Sequence, residues 1–201
     1  MNLSLFIVLV LSYLYGSIPF ALVIGLVFYH KDIRKYGSGN PGGSNAGRVL
    51  GKKAGLISII LDISKCFVVV EVTKLLISTY SLPGDLLYLA ALACIIGHCY
   101  PIFLQFKGGK AVSVFFGYLL ATNPLVFAIV GIFFLTVLKI SKYVSLASMS
   151  CALFMLVVTY LFHYGKVGMF TNALIVCLLI YKHRSNIKRL KDKTENKITW
   201  M

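Results

Sequence analysis

The sequence predicts an all-α integral membrane protein with about seven transmembrane helices, and three observations carry that expectation. Hydrophobic residues make up 59% of the 201 and the mean hydropathy is +0.87, more apolar surface than one water-soluble core can bury. These residues gather in long segments, as bilayer-spanning helices require. The 20 Lys and Arg against 6 Asp and Glu give a formal net charge of +14, but the cations sit between and after the apolar segments. That distribution sets membrane topology and argues against a nucleic acid partner.

The first segment, residues 2–28, has no basic leader and no small-residue cleavage site, so it is expected to stay as a span. Within it, Pro19 of Gly16-Ser17-Ile18-Pro19 removes a helix hydrogen bond and kinks the chain. Residues 30–53 carry six basic residues and one acidic, which places them in the cytoplasm and the N-terminus outside. The second segment, 54–79, holds Asp62, Lys65, Glu71 and Lys74. Each acid stands three residues before a lysine, so each pair shares a helix face and neutralises itself where an isolated charge is costly. Structural pairing is expected there ahead of substrate contact. Pro83-Gly84 turns the chain outside, and residues 86–104 return it to the cytoplasm.

Residues 111–122 would reach only ~18 Å as a helix against a ~30 Å hydrocarbon core. Five full spans plus a short hairpin is therefore the alternative to seven. Asn123-Pro124 makes a turn, a fifth apolar stretch continues to Leu138, and a sixth runs from Tyr143 to Tyr164. An exposed turn over residues 165–168 precedes the seventh, which ends in the basic tail with the C-terminus cytoplasmic. This arrangement leaves 17 of 20 basic residues inside, with Lys166 outside and Lys65 and Lys74 in the second span. No repeat or linker divides the chain, so residues 1–201 are expected to form one membrane-embedded domain. Cys66, Cys94, Cys99, Cys151 and Cys177 lack CxxC or zinc-finger spacing and are expected to be buried, reduced and free of metal.

Chemistry concentrates in residues 37–53, GSGNPGGSNAGRVLGKK. Gly37, Gly39, Gly42, Gly43 and Gly47 permit left-handed backbone, and Ser38, Asn40, Ser44 and Asn45 supply short polar groups. A long loop of this kind aims successive N–H groups at one point, and Arg48, Lys52 and Lys53 add cations, so it suits a phosphate or carboxylate. Lys107 and Lys110 flank Gly108-Gly109, expected to be a compact turn that brings two ammonium groups to one anion. His183, just past the last span, reads either as a base or hydrogen-bonding ligand or as a solvated interfacial residue, its neutral form favoured by the cations around it. His98 suits packing or support of the site, and Glu195 either orients an Arg or Lys or is solvated. No P-loop, HExxH, GxSxG or strand-borne GxGxxG is present, which removes support for ATP hydrolysis, metalloprotease and serine-hydrolase chemistry. A phosphate transporter is the non-enzymatic alternative, disfavoured because the polar groups cluster at one membrane face and no repeat is visible.

Five segments in order, GSIPF at 16–20, DIRKYGSGNPGGSNAGRVLGKKAG at 32–55, GHCYPIFLQFKGGKAV at 97–112, YVSLAS at 143–148 and HRSNIKRLKDKTENKI at 183–198, resemble the bacterial acyl-phosphate:glycerol-3-phosphate acyltransferase family. The resemblance spans nearly the whole chain. It implies that Ser38, Asn40, Asn45 and Arg48 match a first motif, Lys107 and Lys110 a second, and Ser145, His183, Asn186 and Glu195 later active-site positions. By it, Ser38, Arg48, Lys107, His183 and Asn186 are expected to be catalytic. Gly37, Gly39, Asn40, Ser44, Asn45, Gly108, Gly109, Lys110, Ser145 and Glu195 are expected to bind substrate or phosphate.

The reaction implied is transfer of a fatty acyl group from acyl phosphate to the sn-1 hydroxyl of glycerol 3-phosphate, giving lysophosphatidic acid and inorganic phosphate, with no cofactor and no metal. The setting implied is the bacterial cytoplasmic membrane, with the active site facing the cytoplasm and the enzyme that makes acyl phosphate as a functional partner. The HxxxxD pattern of other glycerolipid acyltransferases is missing. Against the family's pattern, Ser44 stands where Thr is usual, Gly43 where Ala is usual, and Cys66, Ala111 and Lys193 where Gly is usual.

Overall fold

The computed structural model describes residues 3–198, and among these it holds ten α-helices, two short 3-10 turns and no strand. The first apolar run is broken into α1 (Leu3–Gly16) and α2 (Phe20–Tyr29), bent by 40°. Pro19 brings no N–H, as expected, and the break is repaired locally: the Ser17 hydroxyl and amide and the Ile18 amide donate to carbonyls of Tyr13, Leu14 and Tyr15. Then come α3 (Gly43–Leu50), α4 (Lys52–Tyr80), α5 (Leu86–Cys99) and α6 (Val112–Thr122), followed by α7 (Pro124–Ser141), α8 (Val144–Leu161), α9 (Gly165–Lys182) and α10 (Arg184–Lys191). The chain divides into two compact units at Ala121–Thr122.

In the first unit α5 packs on α1 and α4, while α2 and α3 also lie on α4. The α1–α5 crossing is a backbone contact. A Cβ on Gly16 would stand 2.8 Å from Cys94 Cα and one on Gly97 3.0 Å from Ser17 N. Small residues let helices approach this closely and gain van der Waals contact where lipid supplies no hydrophobic drive. Both charge pairs on α4 form as the spacing predicts. Lys65 Nζ lies 3.1 Å from Asp62 Oδ1 with both side chains buried, and Lys74 Nζ lies 2.9 Å from Glu71 Oε1. Lys65 also donates to Ile18 O at 2.6 Å and sits 5.0 Å from the Phe20 ring centroid, so α4 caps a carbonyl exposed by the break. Lys74 donates to Ala121 O, tying α4 to the end of α6.

In the second unit, Asn123 caps α7 by accepting from Leu125 N and Val126 N at 3.0 and 3.3 Å, with Pro124 at the first helical position. α8 packs between α7 and α9, and Phe133 stacks on Phe154 at 4.2 Å. Residues 165–168 open α9 and are not the exposed turn expected. Phe162–Tyr164 already reverse the chain, with His163 left-handed at φ 55°. Cys66, Cys94, Cys99 and Cys151 are buried, but Cys177 is exposed because Ile175, Val176 and Leu179 take the inward face of α9.

Leu86–Leu104, Pro124–Ser141, Val144–Leu161 and Gly165–Lys182 are long and apolar enough to cross a membrane, and the bent α1–α2 pair can make a fifth. α4, at 29 residues, is ~44 Å long but bears four internal charges. α6 has 11 residues and is short, as its sequence indicates.

Candidate functional site

The glycine-rich stretch is only half a loop. Residues 43–50 form α3, which rests on α4, and this overturns the expectation of a loop through residue 53. The reason is a close helix contact: a Cβ on Gly43 would meet Ile59 Cγ1 at 2.5 Å, and one on Gly55 would meet Gly47 Cα at 2.5 Å. Gly43 and Gly55 are thus small for packing, whereas Gly37 and Gly39 are left-handed at φ 61° and 69°.

Asn45, 1% exposed, shapes the remaining loop. Its Oδ1 accepts from Ser38 N at 2.8 Å and its Nδ2 donates to Ile33 O and Tyr36 O at 2.8 and 3.2 Å. Both amide protons are used on the chain itself, so Asn45 acts by holding Ser38 in place. At the loop's entry the Arg34 guanidinium pairs with Asp32, Nη2 to Oδ2 at 2.8 Å, and its side-chain hydrogen bond holds that carboxyl down at about 2. The loop leads to the first turn of α3, whose leading N–H groups have no intrahelical carbonyl to bond. Ser38, Ser44 and Arg48 are exposed beside it, the last two four residues apart on one helix face. Asn40 is half-buried.

Gly108-Gly109 is not the turn expected. The reversal falls on Gln105 and Phe106, at φ 50° and 62°, while the two glycines run along the end of α5. Gly108 N donates to Cys99 O at 3.2 Å and Gly109 N to His98 O at 3.0 Å. A Cβ on Gly109 would stand 2.7 Å from His98 Cε1, so glycine is required by proximity and not by torsion. Lys107 is exposed and Lys110 half-buried. Ala111 is left-handed at φ 69°, a conformation that costs a Cβ-bearing residue ~1 kcal/mol.

In the second unit Glu195 is a hub, neither solvated nor paired with one cation alone. It accepts from Ser145 Oγ at 2.7 Å, Asn186 Nδ2 at 2.6 Å and Arg189 Nε at 2.6 Å. Burial raises its pKa, and the hydrogen bonds from Ser145, Asn186 and Arg189 with the Arg189 charge outweigh that, so the carboxyl sits below its ordinary value. The tail is fastened twice more, by Ile198 N to Lys142 O at 2.9 Å and by Lys197 over the Tyr143 ring at 5.4 Å. Lys193 turns the tail at φ 57°. His183 is 3% exposed, not a solvated interfacial residue. Its Nδ1 lies 2.8 Å from Leu179 O, and since a carbonyl only accepts, Nδ1 is the donor in that bond.

Sequence reasoning missed Arg189. Nothing in a basic tail marks one cation as the partner of a carboxylate six residues on. Among the described residues no three His, Cys, Asp or Glu side chains gather as a metal site.

Helices with exposed apolar faces, a loop held by Asn45 ahead of α3, and a Ser, Asn and Arg cluster tied to one carboxylate define a helical membrane protein with built polar clusters. The family model described as glycerol-3-phosphate acyltransferase matches residues 6–193, and the chain belongs to that family. It is 43% identical over 194 residues to a glycerol-3-phosphate acyltransferase of Geobacillus kaustophilus (strain HTA426), covering 96% of each chain. It is 42% identical over 206 residues to the enzyme of the same name from Staphylococcus aureus (strain JH9), covering 99% of this chain and 100% of the other.

The fold is similar to the crystal structure of PlsY (YgiH), an integral membrane glycerol 3-phosphate acyltransferase, in its glycerol 3-phosphate form. The TM-score is 0.91 at 33% identity, over 98% of this chain and 96% of that one. The lysophosphatidic acid form matches with a TM-score of 0.89. The protein is an integral membrane acyltransferase, and its family belongs to phospholipid biosynthesis.

Proposed function

We propose that the protein transfers a fatty acyl group from an acyl phosphate to the sn-1 hydroxyl of glycerol 3-phosphate, releasing lysophosphatidic acid and inorganic phosphate. The observation that carries the donor assignment is the Asn45-held loop, which presents Ser38, Ser44 and Arg48 beside the first turn of α3. A helix N-terminus with a hydroxyl and a guanidinium suits a compact dianion, and no stretch resembles an adenine pocket for coenzyme A. Ser38, Arg48 and Lys107 take the phosphate and the oxyanion that develops at the acyl carbon; Gly37, Gly39, Asn40, Gly108, Gly109 and Lys110 complete that surface. His183 and Asn186 orient glycerol 3-phosphate, with Ser145 and Glu195 fixing Asn186.

In the chemical step the sn-1 oxygen bonds to the acyl carbon and the bond from that carbon to the phosphate oxygen breaks. The leaving phosphate needs no added acid, because cations already neutralise it. The proton passes to the phosphate of glycerol 3-phosphate; Glu195 is unsuited to take it, being committed to three donors. His183 is the alternative acceptor. The setting we propose is seven spans in the bacterial cytoplasmic membrane, N-terminus outside, with the site and tail cytoplasmic, where an upstream enzyme supplies the acyl phosphate.

The test is to give purified protein labelled glycerol 3-phosphate with palmitoyl phosphate or palmitoyl-CoA separately, following lysophosphatidic acid and free phosphate. Product with the phosphate alone is expected. Equal rates with both donors would defeat the donor assignment, and phosphate uptake into vesicles without lipid product would favour a transporter.

A further inference from the structure

His98 is a buried imidazole that the proposed reaction does not use. It stands on the last turn of α5, its side chain 9% exposed, between two features of the first unit. On one side its Nδ1 lies 3.7 Å from Asp62 Oδ1, the carboxylate that also holds Lys65, whose ammonium in turn caps Ile18 O. On the other side the residue supports the Gly108-Gly109 strip. Its carbonyl accepts from Gly109 N, and its ring so fills the space over Gly109 that a Cβ there would stand 2.7 and 2.9 Å from Cε1 and Cδ2. Asp62, Lys65 and His98 therefore join the broken α1–α2 span, the middle of α4 and the segment that carries Lys107 and Lys110.

We propose that His98 is a positioning residue, which presses the strip 107–110 against the end of α5 and so fixes where Lys107 is presented. Lys107 has a long, flexible stem and is exposed, so its side chain cannot fix itself; only its backbone can be held. That backbone is held by two hydrogen bonds to α5 carbonyls and by the fit of glycine against the imidazole. Asp62 gives the ring a fixed charged neighbour deep in the helix bundle, and Lys65 neutralises Asp62, which is what allows a carboxylate at that depth. A catalytic cation displaced by about 1 Å can lose about a hundredfold in rate. The inference rests on the reading that Lys107 serves the acyl-transfer site, but its structural half stands alone.

Two measurements on the full-length purified protein separate these. Hydrogen exchange read by mass spectrometry reports the Gly108 and Gly109 amides directly. In His98→Ala the peptide covering residues 105–111 is expected to exchange about tenfold faster while the other helices keep their rates. Unchanged exchange there, or acceleration everywhere at once, overturns the proposal, since either means that His98 does not act on this strip in particular. Kinetics then report the link to Lys107. His98→Ala is expected to lower kcat/KM by about tenfold to a hundredfold in the native background, but by less than about threefold when Lys107 is already Ala. Full additivity overturns the link to Lys107.

Relief of a designed clash gives an independent check. Gly109→Ala alone is expected to cost more in kcat/KM than the same change made in His98→Ala, where the ring is gone. Equal costs in the two backgrounds overturn the proposed fit. If the native protein makes no lysophosphatidic acid from either donor, the acyl-transfer reading fails, and the exchange result still decides the structural half.

Discussion

Replacing Glu195 by alanine should undock the C-terminal tail and disarm the cluster it organises. The native carboxylate, 6% exposed, accepts three hydrogen bonds of 2.6 to 2.7 Å, one from a guanidinium. A hydrogen bond involving a charged group contributes about 1.5–3 kcal/mol, and truncation also takes the Glu195 acceptor away from the Asn186 amide. Arg189 is 37% exposed and recovers water, so its share is discounted. The net effect worked from these contacts is about 3 kcal/mol, roughly a hundredfold in the docking equilibrium. Trypsin should then cleave within residues 191–197 much faster than in the native protein, and kcat/KM should fall by about tenfold or more as Asn186 loses its orientation.

Acid should act in the same direction as the substitution. The folded pKa of Glu195 lies below the ordinary 4.5, so its stabilisation is present above that value and is lost as pH falls through the folded one. The native tail amides should lose their hydrogen-exchange protection in that window and the Glu195→Ala tail should show no such transition. A Glu195→Ala protein with native protease resistance and kcat/KM within threefold would refute the hub.

Three further outcomes are expected. In a background without native cysteines, thiols placed at Lys52 and Lys193 should resist an impermeant reagent in intact cells and react after lysis; labelling in intact cells would overturn the proposed topology. Ser38→Ala, Arg48→Ala and Lys107→Ala should each lower kcat strongly in folded protein, with combined losses smaller than the product of the single ones, and full activity in Arg48→Ala would remove the first loop from the site. Ala111→Gly and Lys193→Gly place glycine at φ 69° and 57°, so each should raise thermal stability by up to ~1 kcal/mol; a drop in melting temperature for both would show that neither corner is strained.

What the sequence by itself determined is what depends on near neighbours. The Pro19 break, the Asp62–Lys65 and Glu71–Lys74 pairs, the short α6 and the Asn123-Pro124 turn all follow from residue type and spacings of at most four positions. The apolar segments were legible for the same reason, and the family was legible from motifs that stand in order along the chain.

Only the tertiary structure decided what each glycine is for. Gly37 and Gly43 are the same residue in the same stretch, yet one serves a left-handed torsion and the other makes room for Ile59, a partner 16 positions away. Gly109 answers to the His98 ring and Glu195 to a serine 50 residues earlier. Arg189 gained its role only when the tail folded back to bring Glu195 beside it. Close approach and buried hydrogen bonding are set by which surfaces meet, and a local pattern along the chain carries no record of that meeting.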